Sequence, residues 1–165
     1  LEIGAFLGYS LVAAALALPK QLQYVYAVDD ESGLANSNTY ASENLRSVTN
    51  SLEFACFARS IRANVSKYDV VHIDGDHRYD AVKLDLNLAQ ATVTDTGYII
   101  GHDIALPGSG VRQAVMEFSP EHIEVTNLTN GLFIISRSEP LEELCERLRA
   151  NGVECTIHGR AGKPG

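Results

Sequence analysis

Cysteine, positive charge and long apolar segments are all scarce in this 165-residue chain. The three cysteines, Cys56, Cys145 and Cys155, are odd in number, lie far apart and form no CxxC pair. Their spacing therefore indicates neither a disulfide framework nor a zinc knuckle, and a reducing cytoplasm is the expected compartment.

The balance of charge argues against two classes of partner. Lys and Arg number 13 against 21 Asp and Glu, so the net charge is −8. Nucleic-acid backbones and anionic membranes both attract basic surfaces, and we expect neither as a partner. The most apolar helical stretch, residues 11–18, is far shorter than the ~20 residues of a membrane span. It also lacks the basic start and cleavage site of a signal peptide.

Length and composition predict one globular domain over residues 1–165. The apolar and charged fractions, 45% and 21%, are those of an ordinary globular protein that can bury a core. The chain opens on Leu1-Glu2-Ile3-Gly4 without Met, as though already inside a strand. We interpret it as a fragment, or as a chain whose N-terminal cap segment was removed or not recorded.

Strand-like apolar runs alternate with helical segments along the chain. Strands are predicted at residues 1–3, 24–28, 52–57, 69–73, 97–101, 122–128 and 132–136. Helices are predicted at residues 10–18, 41–48, 60–65, 79–91, 110–118 and 140–150. The alternation implies an α/β fold with a doubly wound, mostly parallel sheet of seven strands, and a hairpin signal at 129–131 makes the last strand antiparallel. Residues 138–165 form a C-terminal extension whose helix and strand candidate (155–158) either pack on the sheet or form a homodimer contact.

Two acidic clusters each follow a buried strand. Asp74-Gly75-Asp76-His77 comes after the apolar residues 70–73, and His102-Asp103 comes after residues 98–100. In open α/β sheets, ligands bind in the crevice at the carboxyl ends of the strands. The two clusters are therefore placed to hold a divalent cation between them. His72, in the middle of its strand, is interpreted as a hydrogen-bonded core residue.

A glycine-containing loop follows the first strand, with the spacing Glu2-x-Gly4-x-x-x-Gly8. Asp29 ends the second strand, where a carboxylate can accept hydrogen bonds from both ribose hydroxyls. An ordinary turn with an incidental Asp is the alternative, but Glu2 and Asp29 together favour a nucleoside site. Phe6 occupies the position at which a second glycine would admit a pyrophosphate, and this disfavours a dinucleotide.

Residues 1–10, LEIGAFLGYS, resemble the first motif of class I S-adenosylmethionine-dependent methyltransferases, and most closely the metal-dependent O-methyltransferases of the catechol type. The similarity continues in order through residues 27–29, 74–77 and 97–103 to the final hairpin at about residue 137. DGDH-x-Tyr and Gly-His-Asp also resemble the sugar and small-molecule branch. The resemblance implies a Rossmann-like fold, S-adenosylmethionine as cofactor, and a hydroxyl of a small molecule or sugar as methyl acceptor.

The resemblance also implies roles for individual residues. Those aligned with cofactor-binding positions are Glu2, Gly4, Phe6, Gly8, Ser10, Asp29, Ser60 (beside adenine) and Asp74. Asp74, His102 and Asp103 align with the metal ligands. Carboxylates suit Mg²⁺. His102 stands where the family usually has Asp, so the imidazole either favours Mn²⁺, Fe²⁺ or Zn²⁺ or does not bind the metal.

His77 lies three residues after Asp74, where catechol-type enzymes carry a lysine base. A histidine there can take a proton near neutral pH, so His77 and Asp74 are the predicted catalytic residues. The alternative is that Asp76 and His77 cap the following helix, and one residue can do both. Arg112 either touches substrate or is solvated. Two other functions stay open: a nicotinamide-dependent oxidoreductase and a non-catalytic module with this fold.

Overall fold

The computed structural model describes residues 1–18, 22–48, 54–58 and 67–159. The chain divides into two compact units, Leu1–Val65 and Ser66–Gly165. No helix in the described ranges is both long and apolar enough to span a membrane.

The described residues of the first unit form three parallel strands and two helices. Its strands are β1 (Glu2–Ile3), β2 (Tyr24–Val28) and β3 (Phe54–Ala58), and its helices are α1 (Tyr9–Ala17) and α2 (Ser37–Val48). Strand β2 lies in the middle and pairs in parallel with β1 and with β3. Parallel neighbours need long crossover connections, and the two helices lie in these connections.

The core of the first unit forms where apolar side chains of the two helices meet those of β2. Its buried members are Ala5, Leu11, Ala15, Val25, Ala27 and Leu45. Gly8 precedes α1 with a φ of +72°, and a Cβ there would lie 3.0 Å from the Cα and Cβ of Ala41. Glycine at position 8 is therefore required both by the left-handed backbone and by the close approach of α2.

Within residues 67–159, the second unit forms five strands and three helices. The strands are β4 (Tyr68–Ile73), β5 (Val93–His102), β6 (His122–Val125), β7 (Leu132–Ser136) and β8 (Cys155–His158). The helices are α3 (Tyr79–Thr92), α4 (Val111–Phe118) and α5 (Leu141–Ala150). The strand order is β4-β5-β7-β6-β8. Only the β4–β5 pair is parallel within this order.

The predicted α/β class, with a mostly parallel arrangement and an antiparallel last strand, is confirmed. Strands β1–β7 correspond to the seven predicted strands, and β7 is the reversed one. Strand β8, the strand candidate of the C-terminal extension, pairs with the outer edge of β6. The helix predicted at residues 60–65 lies outside the described residues.

Several element boundaries differ from the predictions: β5 begins at Val93 instead of residue 97, and those of α2 and β6 differ for local reasons. Helix α2 begins at Ser37 instead of residue 41 because the Ser37 hydroxyl donates to Asp29 Oδ1 and Asn38 Nδ2 donates to the Asp29 carbonyl. Strand β6 ends at Val125 instead of residue 128. The next residue, Thr126, turns its N–H to the carbonyl of Glu154.

Helix α5 packs on the sheet of its own unit, which is one of the two arrangements left open for the extension. Its Leu144 and Cys145 join Ile123, Val125 and Cys155 in a buried cluster. Cys145 and Cys155 form a disulfide with their Cα atoms 6.3 Å apart, within the usual range for such bonds. The cysteine count and spacing had indicated no disulfide framework, and this single bond is one that they did not predict. Spacing along the chain does not show that α5 packs against β8.

A buried carboxylate, Glu124 on β6, is the centre of a charged cluster. Arg112 donates to both of its oxygens, at 2.6 and 2.8 Å. The rings of His122 and His158 each place Nε2 3.4 Å from the same carboxylate and stack on one another with centroids 5.4 Å apart. The Arg112 side chain is 44% exposed, and its guanidinium neutralises a buried acid, a role that neither of the two sequence interpretations contained.

Candidate active site

The loop after β1 is folded back onto the end of β2 by backbone hydrogen bonds. The N–H of Gly4 donates to the carbonyl of Val28 at 2.7 Å. The N–H of Phe6 donates to Asp29 Oδ2 at 2.8 Å. Phe6 has a left-handed backbone, with φ 44°, and its side chain is 47% exposed. The predicted cofactor loop is therefore tied directly to the acidic strand end on which the nucleoside prediction rests.

Asp29 has a second function that the sequence did not suggest. Besides the Phe6 N–H, its carboxylate accepts the Glu31 N–H at 2.7 Å and the Ser37 hydroxyl at 2.9 Å, both at Oδ1. Each carboxylate oxygen can accept two hydrogen bonds, so with respect to the described residues Oδ2 retains an acceptor position beside the Phe6 N–H. In the sequence, the polar run Asn36-Ser37-Asn38 at the start of α2 is the signal that could have indicated the Ser37 contact.

Glu2 and Ser10 also meet in the first unit. Glu2 is only 2% exposed on β1, and the Ser10 hydroxyl in the first turn of α1 donates to its Oε1. A buried carboxylate needs such partners, because an isolated buried charge is costly. Ser60, the residue expected beside adenine, lies outside the described residues.

In the second unit, three of the predicted residues converge at the ends of two neighbouring strands. Asp74 follows β4, His102 ends β5, and Asp103 comes next with a left-handed φ of 63°. One potential ligand atom from each lies within 4.8 Å of the other two. His102 Nδ1 is 3.2 Å from Asp103 Oδ1 and 3.8 Å from Asp74 Oδ1. The parallel pairing of β4 with β5 brings the two clusters together, as predicted from their strand-end positions.

The electrostatics of this cluster favour the binding of positive charge. Burial raises the pKa of Asp74, and the nearby Asp103 carboxylate adds to this effect, while the imidazoles of His72, His102 and His77 oppose it. A divalent cation would remove the repulsion between the two acids. Two carboxylates and one imidazole at these separations fit such an ion, and the mixed set suits Mn²⁺, Fe²⁺ or Zn²⁺ as well as Mg²⁺.

His77 lies beside this cluster. Its Nε2 is 2.8 Å from Asp103 Oδ2 and 4.0 Å from Asp74 Oδ1, and the side chain is 41% exposed. The first residue before α3 is Arg78, and the loop closes through Asp76, whose Oδ1 accepts the Arg78 N–H at 2.9 Å. The Arg78 contact also lowers the pKa of Asp76. Asp76 thus serves the turn before the helix, whereas the His77 ring faces the acidic cluster.

Sequence reasoning missed one residue of this cluster, Asn130. Its Nδ2 donates to Asp103 Oδ1 at 2.8 Å from the turn between β6 and β7. The turn had been predicted from Thr129-Asn130-Gly131, but nothing in that signal indicated which residue the amide would reach.

The first unit thus carries a nucleoside-type loop at a strand end, and the second unit carries a candidate cation cluster at the ends of two parallel strands. A family model described as a methyltransferase domain matches residues 1–104. The chain therefore belongs to the methyltransferase-domain family, and the prediction of an enzyme of this class is confirmed. The match favours methyl transfer over a nicotinamide-dependent oxidation. No curated protein sequence matches the chain.

Solved structures with this fold include several O-methyltransferases. TomG from Streptomyces achromogenes, an O-methyltransferase of tomaymycin synthesis in complex with SAM, has 20% identity and a TM-score of 0.55, covering 81% of this chain and 70% of TomG. The Bacillus cereus O-methyltransferase in complex with SAH has 13% identity and a TM-score of 0.60, covering 82% and 72%. CalS11, a TDP-rhamnose 3'-O-methyltransferase of calicheamicin biosynthesis, has 13% identity and a TM-score of 0.63, covering 84% and 70%. The Rossmann-like methyltransferase fold expected from the sequence is thus confirmed.

Proposed function

We propose that this protein transfers a methyl group from S-adenosylmethionine to a hydroxyl of a small molecule or sugar, with the help of a divalent cation. The observation that carries the proposal is the convergence of Asp74, His102 and Asp103, with His77 beside them, in a chain of the methyltransferase family. The solved O-methyltransferases with SAM or SAH support the same cofactor here.

Residues of the first unit are proposed to bind the cofactor. Gly4, Phe6 and Gly8 form the loop after β1, and Asp29 fixes that loop through the Phe6 N–H. The remaining acceptor position on Asp29 suits a ribose hydroxyl, and Glu2 with Ser10 lies at the start of the same loop and helix. S-adenosylmethionine supplies the methyl group as a sulfonium substituent.

Residues of the second unit are proposed to prepare the acceptor. Asp74, His102 and Asp103 would hold a divalent cation, which would lower the pKa of the acceptor hydroxyl and orient it. His77 takes the hydroxyl proton. Because its Nε2 faces Asp103 Oδ2, the Asp103 carboxylate holds the ring and stabilises it once protonated, and Nδ1 is the nitrogen left to accept the proton. Methyl transfer then depends mainly on how the two reactants are positioned.

The test is an assay of S-adenosylhomocysteine formation with Mn²⁺ or Mg²⁺ and two acceptors, a catechol and a nucleotide-linked deoxysugar. Asp103→Ala is expected to abolish the metal-dependent turnover and to leave S-adenosylhomocysteine binding, measured by calorimetry, largely intact. Asp95→Ala is the matched control, because Asp95 is an exposed Asp near the opposite end of β5. Unchanged metal-dependent turnover in Asp103→Ala would exclude the assignment of this cluster.

A further inference from the structure

The backbone at Asp103 is held in a left-handed conformation. Its φ of 63° lies in a region that Asp tolerates better than most residues but that still costs free energy, so the surroundings must support it. The side chain is also 8% exposed, so its carboxylate depends on protein partners. The residues that enforce this conformation therefore decide where a central member of the candidate cation site points.

These residues belong to the turn between β6 and β7. The N–H of Asp103 donates to the carbonyl of Gly131 at 3.0 Å, and the N–H of Ala105 donates to the carbonyl of Asn130 at 2.7 Å. The turn itself is closed by the Gly131 N–H, which donates to Leu128 at 3.0 Å. Asn130 also has a left-handed φ, 58°, a conformation that Asn tolerates better than most residues. Main-chain bonds thus fix the turn against residues 103–105.

The Asn130 amide adds the contact that reaches the carboxylate. Nδ2 donates to Asp103 Oδ1 at 2.8 Å, on the same oxygen that faces His102 Nδ1 at 3.2 Å, while Oδ2 faces His77. Rotation of the carboxylate would break these contacts together. A hydrogen bond to an ionised acceptor is stronger than one between neutral groups, so the amide is well suited to fix the rotamer.

We propose that Asn130 is a positioning residue for cation binding: it acts through Asp103, holding the carboxylate in the orientation in which it joins Asp74 and His102. This inference rests on the proposed function in one respect: it requires that a cation binds at Asp74, His102 and Asp103. Partners that orient metal ligands commonly change metal affinity about 10–100-fold when they are removed. The main-chain bonds of the turn do not involve the Asn130 side chain, so loss of the amide is expected to change affinity more than folding.

The test compares Asn130→Gly with Asn127→Gly. Glycine at position 130 removes the amide and keeps the left-handed backbone. Asn127 is in the same connection, and its Nδ2 donates to a main-chain carbonyl, that of Gly152, at 3.2 Å. Free Mn²⁺ is measured by electron paramagnetic resonance, with thermal unfolding and calorimetric S-adenosylhomocysteine binding measured on the same samples. Asn130→Gly is expected to weaken Mn²⁺ binding about tenfold or more. Asn127→Gly should bind Mn²⁺ with the same affinity as the parent protein. The two variants should have similar melting temperatures.

Three results would overturn the inference, and they are distinguishable. Equal Mn²⁺ dissociation constants for both variants and the parent would remove Asn130 from the site and leave the proposed function intact. Loss of cooperative unfolding in Asn130→Gly alone would mean that Asn130 supports the fold and not the cation. Absence of Mn²⁺ binding in the parent protein would refute the cation in the proposed function, and the role of Asn130 with it.

Discussion

Asp85, on α3, allows a direct measurement of how much a poorly solvated carboxylate lowers the free energy of unfolding of this protein. Burial raises the pKa of its carboxyl to about 6 from an ordinary 3.8, and the charge of Asp76 adds to the shift. The folded state therefore binds more protons than the unfolded state between these two values. Stability falls as the pH rises through this range, and the stabilising contribution is lost above about pH 6. Asp85→Asn, which keeps the shape and removes the charge, is expected to stabilise the protein at pH 8.

The size of this gain follows from the shift. A rise from 3.8 to about 6 corresponds to about 3 kcal/mol at 1.36 kcal/mol per pKa unit. The side chain is only partly buried, and solvent screening reduces the effect to about 1–2 kcal/mol. For a chain of 165 residues this is an increase in Tm of about 5 °C. At pH 4 the gain should nearly vanish, because the folded state already holds the proton.

Urea denaturation at pH 4, 6 and 8 is the assay for this prediction. Asp80→Asn serves as the control for removal of a negative charge, because Asp80 is exposed in the first turn of the same helix. Its effect should stay within about 0.5 kcal/mol, as for other surface substitutions. The reasoning is refuted if the free energies of unfolding of Asp85→Asn and the parent differ equally at pH 4 and pH 8. It is also refuted if they do not differ at pH 8.

Two further predictions concern packing in the second unit. Arg112→Leu leaves the buried Glu124 without its guanidinium and should cost about 2 kcal/mol, less than the 3–5 kcal/mol of a fully buried pair because the Arg112 side chain is 44% exposed. The double variant Arg112→Leu/Glu124→Leu should regain most of the lost free energy of unfolding, measured by urea denaturation. A coupling energy near zero between the two positions in this double-mutant cycle would contradict the prediction. Gly101→Ala places a Cβ 2.3 Å from two ring carbons of Phe133 and should lower stability by about 1–3 kcal/mol. Adding Phe133→Leu to Gly101→Ala should restore the lost stability, because it removes the ring that the new Cβ meets. An unchanged Tm in Gly101→Ala alone would contradict the prediction and show that β5 relaxes at this position.

The strands and their acidic ends were predictable because both depend on short segments of sequence. An apolar run such as residues 98–100 is typical of a buried strand wherever it lies, and the residue that ends it points to the ligand edge of a parallel sheet. The positions of Asp74 and Asp103 at the ends of two strands are therefore enough to predict that they meet.

The supporting contacts were not predictable in this way. Asn130 reaches Asp103 across 27 positions of sequence, through a turn whose direction depends on how β6 pairs with β7. Arg112 and Glu124 lie on different elements, so no local sequence pattern indicates that the two side chains pair. Helix α2 begins early because Ser37 bonds to Asp29, a side-chain contact that helix periodicity does not contain. Each of these depends on tertiary packing rather than on local preference.

The disulfide between Cys145 and Cys155 has a kinetic consequence. Both residues are buried and the bond joins α5 to β8, so a reductant meets the sulfurs only when helix and strand separate. Local opening of this kind has its own free energy, smaller than or equal to that of global unfolding. The rate of thiol exchange therefore reports how often this corner of the protein opens. While the bond is intact, β8 stays covalently linked to α5 even when it separates from the sheet.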